Sequence, residues 1–317
     1  MNWQKRTADL AAVTFGFLTG PILRFLARHR RQLPRFQRLG DRFGFQLRSV
    51  HYYEPTYTLA HLPARTDVER SLPGIDMNEP GQLKMLARFV FADELSKVPV
   101  QKPSESEFGY ENDMYSYGDA EIYYSMVRAT RPRRIIEIGS GNSTLIAKRA
   151  IEANRAEDAG YSCEQICIEP YEMAWLESVG VQVIRERVET IDPAIFQTLA
   201  AGDILFIDSS HVIRPWGDVL REFQEILPGL ADGVLVHVHD VFTPRDYPEP
   251  WLRADRRLWN EQYLLEAFLA FNVRFEIVCA NNWLKHNHWE EFSRACPMIG
   301  RNPGSEPGGF WFAARMR

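Results

Sequence analysis

The sequence predicts an α/β protein: a doubly wound, mostly parallel seven-stranded sheet with an N-terminal, mainly helical cap. Two observations carry that expectation. From about residue 130 onward, short apolar runs bounded by turn residues alternate with stretches of helical period, and the earlier part of the chain lacks this rhythm. A chain of 317 residues, 45% hydrophobic and 25% charged, is also long enough to bury a full core beneath such a sheet.

Five runs form the parallel set: "RIIEIG" (134–139), "EQICIEP" (164–170), "VQVIRE" (181–186), "DILFID" (203–208) and "DGVLVHVHD" (232–240). Two later runs, "RFEIVCA" (274–280) and "GGFWFAARM" (308–316), are expected at an edge, the last one antiparallel. Ahead of them, "HYYEPTY" (51–57) and a helix over "EPGQLKMLARFVFADEL" (79–95) suggest a cap. The N-terminal "LAAVTFGFLTGPIL" is shorter than the roughly 20 residues that cross a bilayer, and Pro21 and Arg24 interrupt it, so it is not expected to span. Beyond it Ile22, Phe25, Leu26, His29 and Leu33 recur at helical spacing among arginines, a basic amphipathic helix that Pro34 ends or restarts. The expected division is 1–45 for the basic helices, 46–118 for the cap and substrate region, and 119–317 for the sheet domain.

Charge narrows the partners. Residues 1–42 carry nine Lys/Arg against Asp9 and Asp41, a net of +7, so the formal −5 of the whole chain leaves −12 on the remainder. That body is a poor partner for nucleic acid. The basic helix leaves open a peripheral membrane contact, docking on its own protein, or self-association into a homodimer. Cys163, Cys167, Cys279 and Cys296 form no CxxC pair and no signal-peptide pattern precedes them, so reduced thiols and a cytoplasmic location are expected.

In an open parallel sheet, ligands sit beyond the carboxyl ends of the strands where the strand order reverses. After the first strand comes "EIGSGNST", in which Gly139 and Gly141 allow a tight turn and Asn142–Ser143–Thr144 open a helix whose N–H groups face a ligand. The second strand ends in Glu169, a carboxylate suited to accept both hydroxyls of a ribose. A nicotinamide fingerprint would need a glycine where Thr144 stands. Instead Glu137 precedes Gly-x-Gly, and together with "DA.IYYSMVR..RPRRIIEIGSGNST", "FIDSSHV", "HVHDVFTPRDYP" and "NEQYLLEAFL" the pattern resembles class I S-adenosylmethionine-dependent methyltransferases of the methyltransferase-24 type, over roughly residues 105–317.

The resemblance implies a Rossmann-like fold with S-adenosylmethionine as cofactor. Glu137, Gly139, Ser140 and Gly141 would line its amino-acid part, Glu169 its ribose, and Glu189 would lie near the adenine. "NDMYSYGDA" (112–120) resembles the segment that folds over the methionine end, with Tyr115 and Tyr117 as candidates and Asp208 alongside. Ser143 stands where the superfamily pattern has its last glycine.

The fourth and fifth strands end in "FIDSSH" and "HVHD". Three readings of these residues stay open. Asp208, His211, His239 and Asp240 hold a divalent metal (Mn, Fe, Mg or Zn) against the acceptor; or His211 or His239, assisted by Asp208, is a general base; or the histidines hydrogen-bond within the sheet and serve structure alone. His237, on the same face two residues earlier, is the expected structural member. Tyr247, Trp251 and Trp259, in the insertion after the fifth strand, are acceptor-pocket candidates, and "KHNHWEE" (285–291) is a possible metal comb or a solvated loop. The expected function is O- or N-methylation of a small-molecule or sugar-like acceptor. A nicotinamide-dependent oxidoreductase and a membrane-tethered binding protein are the alternatives.

Overall fold

A computed structural model describes residues 3–315, and the chain forms two compact units, Met1–Ala64 and Arg65–Arg317. Residues 65–118 therefore pack with the sheet, and do not join 46–64 in a separate cap as the sequence suggested.

In the first unit α1 (Trp3–Arg28) runs unbroken through Pro21. The expected interruption is absent because a proline removes one bond of the ladder while the turns on either side continue. After a single 3₁₀ turn, α2 (Pro34–Phe43) restarts with Pro34 in its first turn, where no partner for its nitrogen is needed, and ends on Gly44 at φ +70°. Arg30 and Arg48 both bind Glu54, closing the segment after α2.

The second unit opens with α3 (Glu79–Leu86) and α4 (Ala92–Leu95), two short helices in place of the single one expected. The break lets Phe89 enter the core while Val90 faces solvent. Helix α5 (Asp119–Thr130) then leads into the strand-helix alternation: β1 (Arg134–Ile138), α6 (Asn142–Glu157), β2 (Glu164–Ile168), β3 (Gln182–Ile184), β4 (Ile204–Ile207), α7 (Asp218–Arg221), β5 (Leu235–Val238), α8 (Glu249–Arg253), α9 (Glu261–Leu269), β6 (Phe275–Ala280), α10 (Asn281–Asn287), α11 (Trp289–Ala295) and β7 (Phe310–Ala314).

The sheet order is β3-β2-β1-β4-β5-β7-β6, with β7 antiparallel to both neighbours. The doubly wound seven-stranded sheet is as expected, but β7 is inserted between β5 and β6 and not left at an edge. "FWFAA" is apolar without alternation and buried at every position, as a strand covered on both faces requires. Alternate residues serve two cores: Tyr123, Ile135, Phe206 and Trp311 on one face, and Ile136, Leu205, Val236 and Phe312 on the other. The order reverses between β1 and β4, and the carboxyl ends of β1, β2, β4 and β5 open on one edge.

Candidate active site

A cleft of about 790 Å³ lies along that edge. One end is built by the turn from β1 to α6. Gly139 has φ +78°, and a Cβ there would stand 1.9 Å from the carbonyl oxygen of Asp208, so only glycine lets the end of β1 lie against the end of β4. Ser140, Gly141, Asn142 and Ser143 line the cleft behind it. Glu169, at the end of β2, is buried; the N–H groups of Tyr171 and Glu172 donate to its Oε1 at 2.9 and 3.0 Å, and that of Ser140 points at its Oε2 from 3.4 Å. Glu189 lines the wall further out.

Two residues expected here lie elsewhere. Glu137 does not face the cleft: strand alternation turns it into the core, where the hydroxyls of Tyr123 (3.0 Å) and Thr144 (2.6 Å) donate to its two oxygens and burial pushes its carboxyl up to about 7. It ties α5 and α6 to β1. Tyr115 does line the cleft, its ring 5.0 Å from that of His239, whereas Tyr117 stacks flat on Tyr110, 5.1 Å between centroids, outside the lining.

The other end gathers the ends of β4 and β5. His211 Nε2 lies 3.3 Å from Asp208 and 3.6 Å from Asp240, and His239 Nδ1 lies 3.4 Å from Asp208. Asp208, His211 and Asp240 each offer an atom within 4.8 Å of the others. His211 and Asp240 hold φ values of +59° and +57°, left-handed backbone that costs non-glycine residues of order 1 kcal/mol and that clusters at functional sites.

Two further carboxylates complete the group, and the sequence reading missed both. Glu261, at the start of α9, lies 2.9 Å from His211 Nδ1. Asp119, at the start of α5, lies 3.5 Å from His239 Nε2 while accepting the N–H groups of Gly308 and Gly309 at 2.8 and 2.7 Å. Their strings, "DA.IYYSMVR" and "NEQYLLEAFL", carried the signal, but an acid in a first helical turn is ordinary dipole chemistry and shows no distant partner.

Burial works against the charged form of each imidazole, yet the facing carboxylates outweigh it and hold His211 and His239 well above the usual histidine range. Burial likewise opposes a charged Asp208, and the two imidazoles overcome it, holding its carboxyl below the usual range. His237 is the contrast. It is fully buried between Phe206 (4.4 Å) and Trp311 (4.6 Å), neither ring nitrogen has a hydrogen-bond partner among the described residues, and burial with the neighbouring His239 pushes its pKa down. It packs as a neutral ring.

Trp251 and Trp259 line the same end of the cleft, with Trp259 4.3 Å from the His211 ring; Tyr247 stands behind them, accepting the N–H of Gln262. The "KHNHWEE" stretch is α10 leading into α11, and no comb forms: His286 meets Glu306 at 2.7 Å and His288 faces Glu79 at 3.5 Å.

A family model described as a methyltransferase domain, of the methyltransferase-24 type, matches residues 136–241. A protein of Archaeoglobus fulgidus, described as uncharacterised, is 28% identical over 162 residues, covering 47% of this chain and 72% of that protein. Among solved structures, the plantazolicin methyltransferase BpumL, in complex with a pentazolic desmethylPZN analog and SAH, overlaps 75% of this chain and 99% of its own at 9% identity and a TM-score of 0.41. MycE methyltransferase from the mycinamycin biosynthetic pathway, in complex with Mg and SAH, overlaps 45% of this chain and 38% of its own at 17% identity and a TM-score of 0.30. Overlaps that loose say nothing of what this chain binds. The family match is different in kind, because it runs from β1 to just past Asp240 and so contains the glycine turn, Glu169, Asp208, His211, His239 and Asp240. Residues 136–241 thus match a methyltransferase domain of the methyltransferase-24 type.

Proposed function

We propose that the chain transfers a methyl group from S-adenosylmethionine, seated on Gly139–Gly141 and Glu169, to an oxygen or nitrogen of a small-molecule acceptor seated against Asp208, His211 and Asp240. One observation supports this above the rest: a single cleft is lined at one end by the glycine turn and Glu169 and at the other by the Asp–His group and two tryptophans. Sulfonium is already an activated donor, so the protein's main task is to hold donor and acceptor in line and to take the acceptor's proton.

The donor set fits a divalent cation. Four carboxylates (Asp119, Asp208, Asp240, Glu261) surround two imidazoles, and such a buried cluster needs positive charge, supplied either by imidazolium protons or by a cation. Oxygen and nitrogen donors of this kind suit Mn, Fe, Mg or Zn. A cation held by Asp208, His211 and Asp240 would polarise an acceptor hydroxyl and ease its deprotonation. Glu261 fixes the His211 ring, and Trp251 and Trp259 screen the acceptor end from water. A histidine base working without metal would act against the same carboxylates, which favour the protonated imidazole.

Titration calorimetry tests the cofactor: micromolar binding of S-adenosylhomocysteine and none of NAD is expected, and the reverse would move the protein to the oxidoreductases. Assayed with a library of hydroxylated and amino metabolites, a chelated sample should lose methyl transfer and recover it with Mn²⁺ or Mg²⁺. Activity that survives chelation would return the chemistry to a histidine base.

A further inference from the structure

We propose that α1 crosses a lipid bilayer and tethers the catalytic unit to an anionic membrane face. Within the helix, the 23-residue segment Arg6–Arg28 contains an 18-residue window of mean hydropathy 1.6, of which only 6% is buried. Leu10, Val13, Phe15, Phe17, Leu18, Ile22, Leu23 and Phe25 are all exposed, Phe17 at 83% and Leu18 at 76%. At 100° per residue these eight side chains point in every direction around the helix. A second copy of the chain or a protein groove covers one face of a helix, and a helix lying flat on a membrane needs a polar face to leave in the headgroups. Hydrocarbon on all sides is the one surrounding that matches.

Length and hydrogen bonding agree with that occupant. Twenty-three residues at about 1.5 Å each make roughly 34 Å, close to the roughly 30 Å of a bilayer's hydrocarbon. The uncharged part, Leu10–Leu23, is shorter at about 21 Å, but Arg24 and Arg28 at one end and Arg6 at the other are long enough to reach back to the headgroups. The two threonine hydroxyls within it need no water, since Thr14 donates to the Leu10 carbonyl at 3.0 Å and Thr19 to that of Phe15 at 2.8 Å. On the C-terminal side follow Arg24, Arg28, Arg30, Arg31, Arg35, Arg38, Arg42 and Arg48 against the single acid Asp41, whereas Lys5, Arg6 and Asp9 stand before the apolar stretch. That bias attracts anionic headgroups and orients the C-terminal side to the cytoplasmic leaflet, so the methyltransferase unit faces the cytoplasm.

The test uses the full chain, purified in detergent and reconstituted into vesicles of phosphatidylcholine with one quarter phosphatidylglycerol, then floated in 1 M NaCl and after an alkaline carbonate wash. The wild type should float through both treatments. A double variant, Phe17→Asp with Leu18→Asp, should lose at least tenfold of the floated fraction while its S-adenosylhomocysteine binding and circular dichroism stay unchanged. Release of the wild type by salt would overturn the proposal in favour of a surface contact held by charge. A wild type that stays with the detergent-free soluble fraction as dimers, dissociated by the same substitutions, would show that a second copy covers α1.

Discussion

Glu169 uses its carboxylate twice. The N–H groups of Tyr171 and Glu172 occupy one oxygen and Ser140 approaches the other, which fixes the loop after β2 while the residue lines the cleft. An alanine there would loosen the loop as well as the ligand. Glu169→Gln separates the two effects, because the amide oxygen still accepts from Tyr171 and Glu172 while the charge that strengthens bonds to ribose hydroxyls is lost. A charge-assisted hydrogen bond is worth about 1.5–3 kcal/mol, so S-adenosylhomocysteine affinity should fall about tenfold with the melting temperature nearly unmoved, as calorimetry and thermal denaturation would read. An unchanged affinity would place the ribose elsewhere. This residue was readable from its position at the end of an apolar run. Glu137, equally acidic and also at a strand's end, was not, since one step along a strand turns a side chain from the ligand to the core.

The joint between β1 and β4 shows what an element's end demands. Gly139 is needed less for the cofactor than for the sheet: the space a side chain would take is filled by the Asp208 backbone and not by ligand. Gly139→Ala should therefore lower stability by several kcal/mol, through both the positive φ and the 1.9 Å approach, and should show as a large fall in melting temperature even without cofactor. Gly141 stands in contrast, since a Cβ there would meet only Met173 at 3.5 Å; Gly141→Ala should leave the fold intact. Thermal scans of the two variants side by side decide it, and equal stability would mean that the strands can part without cost. The same joint brings Asp208 against the glycine turn, so the end of the first strand also sets where Asp208 stands in the cleft.

At the scale of the whole molecule, buried charge makes stability depend on pH in a definite direction. His211 and His239 have folded-state pKa values above 6.5, so the stability they contribute is fully present below about pH 6.5 and is lost as pH rises through the folded values. Glu121 and Glu137, pushed up to about 7 by burial, act in the same sense between about 4.5 and 7, because the folded state holds protons that the unfolded chain releases. Cation-free protein should thus melt several degrees lower at pH 8.5 than at pH 6. Mn²⁺ should restore the loss at the higher pH and do little at the lower, where protons compete for His211 and His239. Melting curves across that range, with and without the metal, check both parts; a cation-free protein most stable at alkaline pH would mean that the imidazoles are neutral in the fold.

The sequence by itself determined the strand-helix order, the edge on which the cleft opens and about half of the cleft's residues, because short apolar runs, turn glycines and strand-end acids are local signals. It also carried the family resemblance in "EIGSGNST", "FIDSSH" and "HVHD". What only the tertiary structure decided were relations between distant parts of the chain. Asp119 and Glu261 meet the two histidines from the first turns of α5 and α9. The last strand enters between β5 and β6, where its neighbours on both sides bury it. His237 and His239 sit two residues apart on one strand face, yet burial among aromatic rings lowers the pKa of the first while facing carboxylates raise that of the second. Burial and the charges facing a side chain come from elements far away in sequence, so they are settled only when the chain has folded.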